Sequence, residues 1–99
     1  MENNLHLKNY TEILIGEAIE KLWFEMDDIC KCERCYYDTK AIALNHLPSK
    51  YTVTSKGEVY TKINNFRNQI QVDVMKEVMK AIMVVNEHRS HNEEETVKY

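Results

Sequence analysis

Glycine and proline are nearly missing, with two Gly and one Pro in 99 residues. A fold with many tight turns needs both, so their scarcity argues against a many-stranded sandwich or barrel and for long helices. No stretch approaches the roughly 18 apolar residues of a membrane span, so membrane insertion is not expected. The opening Met1-Glu2-Asn3-Asn4 has neither the basic region nor the apolar run of a secretory signal, and the expected location is the cytoplasm. A cationic excess is lacking too. Lys and Arg total 13 against 16 Asp and Glu, a formal charge of −3, which disfavours generic nucleic-acid binding by phosphate neutralisation. The acidity is uneven: residues 50–67 carry Lys50, Lys56, Lys62 and Arg67 against Glu58 alone.

Cysteine is also scarce, and its distribution is informative. All three cysteines fall within the six residues Cys30-Lys31-Cys32-Glu33-Arg34-Cys35. In a reducing compartment an odd set packed this closely reads as metal binding or redox chemistry rather than a disulfide framework. The C-x-C-x2-C loop is short enough to fold three soft donors around one ion. Zinc heads the occupants, and thiolates also accept iron or Cu(I). A structural zinc site is closed by four ligands, and this loop offers three. For the fourth, His46 lies eleven residues after Cys35, or about 16 Å along a helix, too far for the same ion within one chain. Asp27, Asp28 and Asp38 are closer, but each reads equally well as a solvated or helix-dipole carboxylate. Solvent or an exogenous thiol is the remaining option. His88 and His91, three apart, form a further chelating pair or simply two solvated rings.

The rest of the chain reads as one domain over 1–88 followed by a solvated tail over 89–99 that contains Glu93-Glu94-Glu95. Asn9, with Glu12 three residues later, caps a first helix that ends near Met26. Its apolar face combines Leu14, Ala18 and Leu22 with Ile15, Ile19 and Trp23. A second helix is expected from about Cys35 to Asn45 or His46, ahead of Pro48. A start at Cys35 would place that sulfur at a helix N-terminus, where the dipole favours thiolate. Tyr51–Thr54 and Glu58–Lys62, β-branched and aromatic around Lys56-Gly57, predict a short hairpin or extended excursion. The last helix is expected over Phe66–Glu87. It carries two apolar stripes, Val72, Met75, Met79, Ile82 and Val74, Val78, Ala81, Val85. One stripe suffices for a domain core, so the second predicts a homodimer in which the final helices meet, the plainer alternative being a helix fully buried in a compact monomer.

The ordered string Cys30-x-Cys32-x2-Cys35-x2-Asp38, Ala41-Ile-Ala-Leu-Asn45-x-Leu47-Pro48-x2-Tyr51 and Lys56-Gly57-Glu58 resembles the late competence development protein ComFB family over nearly the whole chain. Asn9-Tyr10 and Val72-Asp73-Val74 belong to the same likeness. The resemblance implies a small, mainly α protein of three to four helices, forming a symmetric homodimer with one zinc ion per chain on Cys30, Cys32 and Cys35. It implies a genetic association with DNA uptake rather than a defined biochemical act, and in some relatives a link to cyclic nucleotide second messengers. Lys50, Tyr51, Lys56, Tyr60, Lys62 and Arg67 are candidates for such a ligand, combining phosphate donors with stacking rings. An ordinary solvated cationic face is the plainer reading of the same residues.

The combined expectation is a non-enzymatic, zinc-binding, homodimeric regulatory or adaptor protein with no catalytic residues, whose partner is a cyclic nucleotide or another protein. The alternative from a different class is a thiol redox protein or metallohydrolase using the Cys30/Cys32/Cys35 cluster. Cys32-Glu-Arg-Cys35 entering a helix suits a dithiol. The strand that normally precedes such a motif is replaced here by a helix.

Overall fold

A computed structural model describes residues 5–55 and 59–88. The elements run β1 (Leu5–Asn9), α1 (Tyr10–Glu25), α2 (Glu33–Leu44), β2 (Tyr51–Ser55) and α3 (Val59–Glu87). The three helices all pack on one another, and β1 pairs with β2 in a two-stranded antiparallel sheet whose register sets Leu7 opposite Val53 and Asn9 opposite Tyr51.

The core follows from the apolar rows of α1. Leu14, Ile15, Ala18, Ile19 and Leu22 are buried there against Ala43 of α2 and against Val74, Val78, Ala81 and Ile82 of α3. Helix α1 approaches α2 closely at Gly16, where an added Cβ would lie 3.3 Å from Tyr36 Oη. Trp23 meets the Tyr36 ring edge-on at 5.8 Å, and Lys40 of α2 pairs with Glu12 of α1 at 3.3 Å. A side chain at Gly16 would require the Tyr36 hydroxyl to give way by a few tenths of an ångström.

Asn9 does cap α1, its Oδ1 accepting the Thr11 N–H at 3.2 Å, but it is also the last residue of a strand. The same oxygen accepts the Lys50 N–H at 2.9 Å, and the Tyr10 N–H donates to the Lys50 carbonyl at 2.8 Å. Thr11, fully buried, donates its hydroxyl to the Pro48 carbonyl at 2.7 Å. These bonds fasten the segment between α2 and β2 to the start of α1.

Three expectations are corrected. The Tyr51–Thr54 segment is a strand, but its partner is β1 rather than Glu58–Lys62. The chain is already helical from Val59, so α3 opens seven residues before the expected Phe66. Local β propensity in Val59-Tyr60-Thr61 yields to a helix that continues into a buried apolar stripe, and a strand supplied from far away in sequence relieves β2 of any need for a hairpin. Helix α2 begins at Glu33 rather than Cys35, with Cys32 as its N-cap residue. The two stripes of α3 are not equivalent. Val74, Val78, Ala81, Ile82 and Val85 are buried, Met75 is half-buried, and Val72 (79%) and Met79 (39%) stay exposed.

Candidate metal centre

The loop between α1 and α2 carries the cysteines, and the reason it can gather them lies in how α1 ends. Met26 closes α1 by donating its N–H to the Trp23 carbonyl at 3.3 Å. Ile29 then packs against the core and anchors the following residues. Cys32 sits in extended backbone as N-cap of α2. Its carbonyl accepts the Tyr36 N–H at 3.0 Å, and its sulfur accepts the Cys35 N–H at 3.4 Å. That capping bond turns Cys32 Sγ back over the first turn, towards Cys35.

The sulfurs of Cys30, Cys32 and Cys35 all lie within 4.8 Å of one another. Cys35 is buried, while Cys30 and Cys32 are half-buried, and none is in a disulfide. Thiolates at about 2.3 Å from a tetrahedral ion sit about 3.8 Å apart, so the trio needs only a small closure to share one ion. The donor set and spacing therefore fit a thiophilic metal. Burial, followed by the Cys30 and Cys32 sulfurs as hydrogen-bond and charge neighbours, pushes the Cys35 thiol up to about 12. The expected thiolate-favouring effect of the helix terminus is thus outweighed. A bound cation reverses that balance, since a coordinating thiol loses its proton.

No fourth His, Cys, Asp or Glu joins the cluster among the described residues. Asp38 is turned to Arg34, with Nε 3.3 Å from its carboxylate, and Asp27 and Asp28 are exposed. His46 Nδ1 is 2.8 Å from the Ile42 carbonyl at the far end of α2. His91 lies outside the described residues, whereas His88 is exposed just past the end of α3.

The domain matches the ComFB family model, Late competence development protein ComFB, over residues 8–89. The chain belongs to the ComFB family. A solved structure, that of the late competence protein ComFB from Bacillus subtilis, is similar to this ComFB-family chain with a TM-score of 0.70 at 26% identity, across 86% of this chain and 93% of that one. A comparison with curated proteins finds no match.

The cationic and aromatic candidates are dispersed. Lys50 lines a cleft of about 270 Å³ with Tyr10, Thr52, Asn65, Phe66 and Gln69. Tyr51 is 64% exposed, on the sheet face it shares with Leu5, Leu7 and Val53. Arg67 lines a different cleft of about 210 Å³ between α1 and α3, where it pairs with Glu17 at 2.6 Å and with Asn64 at 2.6 Å. Lys56 and the side chains of Tyr60 and Lys62 lie outside the described residues. Tyr10, Thr52 and Phe66, which line the Lys50 cleft, belong to no ligand-binding motif in the sequence. The hydroxyls of Tyr10 and Thr52 are buried without a hydrogen-bond partner among the described residues. Local sequence gives no sign of this, because residues 10 and 52 come to one cleft only in the fold, where β2 pairs with the strand that leads into α1.

Proposed function

We propose that this ComFB-family protein is a non-catalytic regulatory or adaptor component associated with late competence, acting as a homodimer with one zinc ion per chain on Cys30, Cys32 and Cys35. The observation that carries the reading is the gathering of three sulfurs within 4.8 Å on the only covalent link between α1 and α2. An ion held there would neutralise the thiolates and cross-brace the two helices, and its binding energy would be largely folding energy in a chain of 99 residues. Dimerisation is supported by Val72, Met79 and Met83, which share one side of α3 and are 79%, 39% and 53% exposed. Native mass spectrometry of freshly purified protein is expected to give a dimer carrying two zinc ions. A monomer, or a dimer without metal, would overturn the corresponding half of the proposal.

A sensing role is the second reading, favoured by the Lys50 cleft. It brings an ammonium, two amides, two hydroxyl-bearing side chains and the Phe66 ring around a space of about 270 Å³. Those are groups that hold a phosphate and stack on a base. In this reading Lys50, Tyr51, Lys56, Tyr60 and Arg67 remain the candidate contacts for a cyclic mono- or dinucleotide. Calorimetry with both ligand classes decides it: binding that weakens in Lys50→Ala supports sensing, and the absence of heat together with an unmoved melting temperature leaves a pure interaction module. The thiol-enzyme reading is less well supported. A Cys35 thiol pushed up to about 12 is a poor nucleophile, and no carboxylate or imidazole joins the cluster among the described residues to act as a base.

A further inference from the structure

The cysteine trio is one donor short of a closed structural site, and the fold brings an imidazole to the same level of α2. Helices α2 and α3 border a cleft of about 290 Å³ whose walls include Arg34, Asp38, Ile42, Val85 and His88. Arg34 immediately precedes Cys35, and Asp38 lies one turn beyond it. His88, the residue after α3 ends, therefore shares a cleft with the first turns of α2, the turns that also carry Cys35. Its N–H donates to the Val84 carbonyl at 2.9 Å, so the backbone is held by the helix. Its side chain is 75% exposed.

The contact on the far side of that ring is the second observation. His88 Nε2 lies 3.2 Å from Glu87 Oε1. In the neutral tautomer that donates Nε2–H to this carboxylate, Nδ1 is the nitrogen left to bind a metal. Such a carboxylate partner is the usual companion of a metal-bound histidine. The other described histidines lack this setting: His6 is on β1, and His46 Nδ1 is engaged by the Ile42 carbonyl.

We propose that His88, through Nδ1, supplies the fourth ligand and turns the three-cysteine cluster into a Cys3His site. The inference rests on the metal reading above and extends it. The ion would then join the end of α3 to the α1–α2 loop, so that all three helices converge on it.

Cobalt loading of the full chain tests this, because the visible spectrum of Co2+ reports its donor set. In His88→Ala, zinc affinity is expected to fall by at least about 100-fold, the upper end of what loss of a merely orienting partner costs. The cobalt bands should move as well, while circular dichroism stays unchanged because the ring is exposed. His88→Cys should restore tight binding with a four-sulfur spectrum. Unchanged affinity and spectrum in His88→Ala would overturn the proposal and leave the three-cysteine metal reading intact. So would a loss that follows His91→Ala instead. Failure of the wild-type chain to take up either metal would overturn both.

Discussion

Cys35 shows how one atom's surroundings set its chemistry. Without metal its thiol is pushed up to about 12 from a reference of 9.0, by burial first and by the neighbouring sulfurs second. The folded state then favours the protonated thiol more than the unfolded chain does. The resulting stabilisation is complete below pH 9 and is lost as pH climbs towards 12. Chelator-treated protein is accordingly expected to show a falling urea midpoint between pH 8.5 and pH 10.5 (values of about this size bracket the reference thiol range), with a smaller fall in Cys35→Ala. Zinc-loaded protein should not show this loss, since its thiolates are already deprotonated. Asn9 is the other residue with two duties, accepting the N–H groups of both Thr11 and Lys50 through one oxygen. Asn9→Ala should cost about 1–2 kcal/mol, at the upper end for an N-cap because the Lys50 amide loses its partner too. Chemical denaturation measures it.

At the scale of elements, the contact between α1 and α2 depends on a missing side chain. Gly16 leaves space for the Tyr36 hydroxyl, which would stand 3.3 Å from any added Cβ. Gly16→Val should destabilise by about 1–3 kcal/mol, as overpacking does, even though valine is the better helix former. Because Tyr36 follows Cys35 directly, the same variant should also weaken metal uptake, and a zinc titration alongside thermal melting would detect the coupling. The sheet makes a related point. β1 and β2 are five residues each and lie about forty residues apart in sequence by the register of Asn9 with Tyr51. A pair this short is marginal alone, and it is held by Lys50 and Pro48 being bonded to the start of α1.

For the whole molecule, the unequal burial of the two sides of α3 is the feature that matters. The inner side fills the domain core, whereas Met83 and Val84 are 53% and 45% exposed beside Met79. If a second copy covers that side, Met83→Asp should raise the dimer dissociation constant by about tenfold or more, each 1.4 kcal/mol being a factor of ten. Helix content should not change. Sedimentation of wild type and variant at matched concentration reads this directly. No described helix is long and apolar enough to cross a membrane.

Much of this was legible from local pattern. The spacing of Leu14, Ile15, Ala18, Ile19 and Leu22 announces α1 and its buried face, because a helix repeats every 3.6 residues and burial follows the repeat. The six-residue span of Cys30 to Cys35 likewise guarantees that the sulfurs stay close in any compact conformation. What local pattern could not supply were the relations between distant segments. The partner of β2, the helical state of Val59 to Lys62, the separation of Lys50 from Arg67 and the approach of His88 to the first turns of α2 all depend on how three helices stack. Residue type and spacing decide which surface of each element is apolar. Only the packing of those surfaces decides which elements meet, because the free energy of long-range contacts belongs to pairs of segments and is written in neither one alone.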